Sequence, residues 1–538
     1  MLRWLDTRRP RLLLVLFCVV LWAPGFFSLP PGDRDESRFA QATKQMLETG
    51  DFVRIQNGTE ARNRKPIGIH WLQAPFVAAA EAAGVATLTT IWPYRLPSLL
   101  GALVAVLGTF SIGERAIGRR GALLAGAMLA GSVLLTTEAH IAKTDAALLG
   151  SVLLFMAVLA RAYLAPATVG RGQAALFWLA MAASILLKGP IGPMVAALTA
   201  LALVVVDRRG RWLLALRPGW GVPLMLAADL PWFVAIGVAT GGRFFADAVG
   251  GDLGRKLSSG DDAHWGPPGL HLLLLPVTLF PSCACLPGAI GRAWRERVDP
   301  VNRFLLAWLI PSWAVFEAAP TKLPHYVLPL FPALCLLAAR WLVEDARRSM
   351  PRWAAALSVI AGVVLAVAAG ALPPVLRAPA WVGVPGAVAG LLLAGLFVKL
   401  CWRPRVAVEQ RRVLLALALV PLLYWSVLQL ELPGVRTLWI APRVAALAPP
   451  LPFGSVGFAE PSLMFLVGTG IEYLLPADGA RALGEGQVRS LLVGDRDFAS
   501  VSAAAERLGL RLRTLASLRG FNYSRGRFVT LTLVATEK

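Results

Sequence analysis

The stretch Leu12-Leu13-Leu14-Val15-Leu16-Phe17-Cys18-Val19-Val20-Leu21-Trp22 runs on without a charge to Leu29, then gives way to Gly32-Asp33-Arg34-Asp35-Glu36-Ser37-Arg38-Phe39-Ala40. A helix that crosses a bilayer needs about 20 mainly apolar residues, so the first part reads as a span and the second as a charged segment at one membrane surface. The apolar run is long for the core of a signal peptide, and no small-x-small cleavage site precedes Pro30-Pro31, so it is expected to stay as an anchor.

Outward from there the same alternation repeats. Thirteen spans are predicted, near residues 12–29, 93–112, 121–137, 146–162, 174–188, 191–206, 220–239, 269–290, 304–319, 326–343, 353–372, 381–400 and 413–430. The composition agrees: 57% of the 538 residues are hydrophobic and 16% charged, against about 25% charged in soluble domains. The excess of 53 Lys and Arg over 32 Asp and Glu is not a nucleic-acid signature, because the Arg residues cluster in short connections between apolar runs instead of forming one basic face. Those clusters, such as Arg208/Arg209/Arg211 and Arg292/Arg295/Arg297, alternate with connections holding single cations such as Lys143, Lys188 and Lys322. The positive-inside rule then places the N-terminus in the cytoplasm and, after an odd number of spans, everything beyond Leu430 on the outer side.

The expected fold is a polytopic α-helical membrane protein with a small α/β C-terminal domain. Residues 1–430 form the membrane domain, with surface helices in an outer segment of about residues 30–92, and residues 431–538 form the soluble domain. In the latter, 455–459, 463–467, 489–493 and 529–534 read as strands and 498–508 as a helix. Cys18, Cys283, Cys285, Cys335 and Cys401 lie in or beside apolar runs and show neither metal-ligand spacing nor a disulfide framework.

Ionisable residues beside spans are the informative ones, because a charge inside the bilayer is costly. Asp35 and Arg38, three apart, put a carboxylate and a guanidinium on one helical face, suited to deprotonating a hydroxyl and holding a phosphate; a capping acid in a solvated loop is the alternative. Arg62-Asn63-Arg64-Lys65-Pro66 suits anionic headgroups or a phosphorylated substrate. Glu138-Ala139-His140-Ile141-Ala142-Lys143-Thr144-Asp145 is a charged island in which Asp145 either caps a helix or serves a site. In Lys322-Leu323-Pro324-His325-Tyr326, Lys322 and Tyr326 are spaced to donate to one oxyanion or to anchor the chain at the interface. Glu36, Arg64, Arg255, His264 and His325 are further candidates on the same side.

In order and spacing these motifs resemble the lipid-dependent membrane glycosyltransferases of the aminoarabinose transferase type, relatives of the protein O-mannosyltransferases with the GT-C fold. The matching elements are Asp35-Glu36-Ser37-Arg38-Phe39-Ala40, Met46 to Asp51, Lys65-Pro66, Asp145, Lys188-Gly189-Pro190, Pro231-Trp232-Phe233 and Lys322 to Pro329. The resemblance implies a sugar donor linked to a polyprenyl phosphate, with lipid A or another envelope glycolipid as acceptor, at the periplasmic face of the inner membrane. It implies Asp35 as catalytic carboxylate with Asp145 as the second acid, and Arg38, Lys65, Tyr326 and Lys322 as donor-phosphate ligands. A protein O-glycosyltransferase using the same donor, or a lipid or sugar transporter, are the competing readings. The family commonly carries a metal-binding Glu before the Lys-Pro pair; this chain has Arg64, a cation that ligates no metal, so no required metal is expected.

Overall fold

The computed structural model describes residues 8–248, 250, 265–344, 350–402 and 406–537; two of the candidates, Arg255 and His264, lie outside the described residues. The first apolar run is helical over Pro10–Trp22 (α1), shorter than the predicted 12–29. Ala23-Pro24-Gly25 ends it: Gly25 adopts φ 75°, and a Cβ there would stand 2.7 Å from the Leu428 carbonyl oxygen. Its N–H instead donates to Gln429 Oε1 at 2.8 Å, so the chain turns tightly against the end of the last long apolar helix.

The segment between the first two predicted spans supplies two helices, Asp35–Thr49 (α2), buried along much of its length, and Gly68–Ala82 (α3), close to the predicted amphipathic stretches. Gly50, at φ 73°, closes α2 with a left-handed cap. A two-strand hairpin joins them, Gln56–Asn57 (β1) with Glu60–Ala61 (β2). Trp92–Ala116 (α4) then packs against Thr144–Leu164 (α7), where Gly101 faces Ala146, Ala147 and Gly150 so closely that a Cβ would meet backbone within 3 Å. Small residues at that crossing let the two backbones approach, the usual device of helix packing in lipid.

Gly118–Ala130 (α5) and Val133–Ala139 (α6) form one path bent by 64° at Gly131-Ser132. Ser132 Oγ accepts the Leu135 N–H and caps the second half. Arg171–Lys188 (α8), Ile191–Asp207 (α9) and Pro218–Thr240 (α10) follow. The predicted 269–290 span is a second broken path, Leu270–Thr278 and Ser282–Arg295, bent by 119° around Pro281. Helices Pro300–Ala318, Phe331–Glu344, Arg352–Val375, Val384–Trp402 and Val406–Tyr424 complete the membrane body. A helix thus falls on each of the thirteen predicted spans, but among the described residues seven are long and apolar enough to cross a bilayer unaided, or nine if each bent pair is one span. The protein is a multi-pass membrane protein with an interior of large side chains, including Trp22, Phe110, Phe155, Trp308 and Phe331.

The C-terminal part carries a mixed five-stranded sheet of Phe453–Val456 (β3), Glu472–Tyr473 (β4), Ser490–Gly494 (β5), Leu512–Asn522 (β6) and Arg527–Thr536 (β7), in the order β4-β3-β5-β7-β6. β3 runs parallel to β4 and β5, whereas β7 is antiparallel to β5 and β6. Successive residues of β5 face opposite cores: Leu492 packs with Ile440, Leu463 and Leu533, and Leu491 and Val493 pack with Leu483 and Val501. Residues 463–467, read as a strand, belong instead to the helix Pro461–Val467. Pro461 starts that helix, and Leu463 and Phe465 are buried on it, Phe465 against Tyr94 in the first turn of α4.

Candidate active site

Two adjacent carboxylates at the start of α2 have opposite surroundings. Glu36 is 5% exposed and receives Arg95 Nε at 2.8 Å and Nη2 at 3.1 Å. It also accepts the N–H groups of Gly32 at 2.7 Å and Ala142 at 3.0 Å. Arg95 donates further to the carbonyls of Phe26, Leu29 and Pro30. Glu36 is therefore spent on structure: it ties the loop after α1, the head of α2, α4 and the loop before α7 into one unit.

Asp35, one residue earlier, is 44% exposed and has its nearest cation, Arg62, at 3.9 Å. Burial pushes its carboxyl up, but Lys65, Arg62, Lys143 and Arg38 together outweigh this and hold it below the usual carboxylate range. It is a carboxylate at neutral pH, surrounded by cations and not closed off by any of them. The guanidinium of Arg62 lies 4.4 Å and the ammonium of Lys65 4.9 Å from the centre of the Phe39 ring, so α2 presents both the acid and the aromatic platform for its cations. Burial, partly offset by Asp35, lowers the Lys65 ammonium to about 8.

Beneath this lies the charged island. Lys143 reaches Glu138 at 2.9 Å and Asp145 at 3.5 Å, and Lys188 pairs directly with Asp145. His325 adds its ring, Nδ1 3.8 Å from Glu138 and Nε2 3.7 Å from Asp145, and Lys188 lies 5.2 Å from the centre of the Tyr326 ring. Burial disfavours charge on Lys143, yet Glu138 and Asp145 raise it above the ordinary lysine value. Glu138 Oε2 is buried without a hydrogen-bond partner among the described residues. Lys65 senses both Asp35 and Asp145, which links the upper and lower acids into one electrostatic unit.

The structure thus gathers Asp35, Arg38, Lys65, Asp145, His325 and Tyr326 around one end of the helical body. Lys322 is engaged elsewhere: its ammonium donates to the carbonyls of Gly266 at 3.0 Å and Ala319 at 2.7 Å and closes a loop. Arg64 is exposed, and Glu36 is consumed by Arg95. Glu138, Lys143 and Lys188 join the cluster although the motifs ranked them below their neighbours. Their single charges between apolar segments were the available signal. Arg95 had none, since one Arg at the head of a span reads as an interface residue. Among the described residues no three His, Cys, Asp or Glu side chains are placed to hold a metal ion; where Glu138, Asp145 and His325 meet, lysines stand between the acids.

A multi-pass helical body with a small mixed sheet, and acids and cations meeting at one end, is an architecture this chain shares with solved membrane proteins. The crystal structures of ArnT from Cupriavidus metallidurans, in the apo state and bound to undecaprenyl phosphate, superpose with a TM-score of 0.75 at 20% identity over 97% of both chains. In sequence the chain is 27% identical over 377 residues to the undecaprenyl phosphate-alpha-4-amino-4-deoxy-L-arabinose arabinosyl transferase of Yersinia enterocolitica, covering 65% of this chain and 61% of that protein. It is 29% identical over 347 residues to the protein of the same name from Pseudomonas paraeruginosa, covering 62% and 60%. The chain is similar to the aminoarabinose transferases in sequence and shares their fold, as its motifs imply. The match spans less than two thirds of these relatives' own length, and no protein-family profile matches the chain.

Proposed function

We propose that the protein is a glycosyltransferase of the inner membrane that moves a sugar from a polyprenyl-phosphate donor to an envelope glycolipid, lipid A or lipopolysaccharide core, at the periplasmic face. The membrane domain runs to about residue 430 and carries the reaction, and the remainder stands on the periplasmic side. The observation that carries this reading is the contrast at the head of α2, where Glu36 is sealed by Arg95 and Asp35 stays ionised, accessible and ringed by cations. The sequence relatives, named as undecaprenyl phosphate-dependent arabinosyl transferases, support the same donor chemistry.

In the reaction, Asp35 takes the proton of the acceptor hydroxyl as its oxygen attacks the anomeric carbon. The new C–O bond forms as the bond from that carbon to the donor phosphate breaks, and the electron pair leaves with the polyprenyl phosphate. Lys65, Arg38 and the Tyr326 hydroxyl stabilise the charge that develops there. Asp145, fixed by Lys188 and Lys143, is the second acid and holds these cations in register. One displacement of this kind inverts the anomeric carbon. No bound metal is required on this reading, because Arg64 stands where the family places a ligand and a guanidinium ligates no cation; transfer should therefore persist in EDTA.

The test is mass spectrometry of envelope glycolipids from a strain lacking the protein, complemented with the wild-type chain or with Asp35→Asn. Loss of one sugar mass that only the wild-type chain restores supports the reading and identifies both sugar and acceptor. Full restoration by Asp35→Asn removes Asp35 as the base. Unchanged glycolipids overturn the glycolipid acceptor and bring forward the protein-acceptor or transport reading.

A further inference from the structure

The turn that aims Asp35 is not self-supporting. Arg34, the residue before it, sits at φ 66° and ψ −113°, a region where only glycine is at ease. Local contacts hold the far side of this turn, with Ser37 Oγ donating to the Gly32 carbonyl at 2.6 Å and Glu36 accepting the Gly32 N–H. The near side is held from the C-terminal part of the chain. The Asp33 N–H donates to the Tyr523 hydroxyl, Arg34 Nη2 donates to the Ser524 carbonyl at 3.0 Å, and Asp33 Oδ1 accepts the Ser462 N–H at 3.2 Å.

Those partners are themselves fixed. Tyr523 and Ser524 lie in the tight turn between β6 and β7, where Asn522 Oδ1 accepts the Arg525 N–H at 3.0 Å. Asn522 Nδ2 donates to Glu460 Oε1 at 2.8 Å and so ties this turn to the helix Pro461–Val467. The same helix is seated on α2 and α4: Lys44 donates to the Phe465 carbonyl at 3.1 Å, and Phe465 packs edge-on against Tyr94 at 5.4 Å. A rigid platform therefore grips two consecutive residues of a strained turn, one residue away from the exposed carboxylate.

We propose that the β6–β7 turn, through Tyr523 and Ser524, is a positioning element that holds Arg34 in its strained conformation and thereby keeps the Asp35 carboxylate aimed into the cation cluster. This rests on the reading of Asp35 as the base. The C-terminal domain then does more than sit beside the membrane body: it completes the geometry of the site without contributing a group that touches substrate.

The experiment uses the full-length chain as wild type, Tyr523→Phe, Arg34→Gly, the Arg34→Gly/Tyr523→Phe double variant and Asp35→Asn. It reads amide hydrogen exchange of residues 32–37 in the purified protein, undecaprenyl phosphate binding, and glycolipid modification per membrane-inserted chain in the deficient strain. Tyr523→Phe should raise exchange in that segment and lower transfer about tenfold, a part of the roughly 10²-fold that a misplacement of about 1 Å can cost, while undecaprenyl phosphate binding is retained. Glycine removes the strain that the clamp opposes, so in the Arg34→Gly background the same change should cost less than about threefold. A merely structural role would lower transfer equally in both backgrounds, and that result overturns the proposal. So does unchanged exchange or unchanged transfer in Tyr523→Phe. If Asp35→Asn keeps its transfer, the base assignment is what fails; if Asp35→Asn is silent while Tyr523→Phe is fully active, the clamp alone fails.

Discussion

At the arginine-rich end of the helical body, Arg340 meets Asp299 at 2.6 Å and Glu344 at 3.0 Å, Arg292 meets Glu296 at 2.9 Å and Glu344 at 3.0 Å, and Arg303 pairs directly with Asp207. At the opposite end Asp35 stands 3.9 Å from Arg62, and Lys143 is shared between Glu138 and Asp145. Here each of Arg340 and Arg292 spans two carboxylates and both share Glu344, so these charges neutralise one another within a network of their own. Lysines shared among acids, beside an acid that no cation closes off, leave charge available to a substrate. The first arrangement fixes helix ends and the second prepares a site.

The strongest way to break that contrast is Asp35→Asn, which should lower transfer by about 10²- to 10⁴-fold, the usual worth of a general base, with the protein still inserted at normal levels; glycolipid mass spectrometry measures it. Glu36→Ala next door should act on stability instead, because it strands the buried Arg95. A broken buried pair costs about 3–5 kcal/mol, read as loss of folded protein in detergent thermal unfolding. Lys65→Met should weaken undecaprenyl phosphate binding about 10- to 100-fold, the loss expected when a charge-assisted contact of about 1.5–3 kcal/mol is removed.

The Lys65 ammonium also predicts a pH dependence. Lowered by burial to about 8, it is cationic below that value and loses its proton above it, so affinity for the phosphate falls as pH rises. Between pH 7 and 9 the charged fraction of such a group drops about tenfold, and undecaprenyl phosphate binding should weaken accordingly. Lys65→Arg, which does not titrate in this range, should flatten the curve. The smallest effect belongs to the other face: Asp299→Asn, at a partly exposed pair, should change stability by about 1 kcal/mol or less and leave transfer intact.

Much of this contrast was legible in the chain. Apolar runs separated by Arg clusters located the helices, and Asp35, Lys65, Asp145 and Tyr326 stood out through the order and spacing of their motifs, since each taken alone suits a helix cap, a lipid headgroup or an interface anchor equally well. Breaks inside runs were not legible, since Gly131-Ser132 and Pro281 lie within stretches whose hydropathy stays high across a 64° or 119° bend. Nor was the sorting of Glu36 from Asp35, because adjacent acids in one motif differ only in what the fold brings to them. Arg95 comes from 59 residues away. The helix Pro461–Val467 was misread as a strand because seven residues are too few for a helical period to stand out from a short apolar run.

The contact between Asp33 and Tyr523 joins residues 490 positions apart. Sequence distance is also a delay: at about 5–20 residues per second of synthesis, the first outer segment waits about 25 to 100 s for its partner. During that interval a chain already threaded into the membrane would carry its acid and its cations but hold Arg34 in no fixed pose. If the proposed clamp holds, the site would reach its full geometry only when the late hairpin folds, well after its acid and cations are in place.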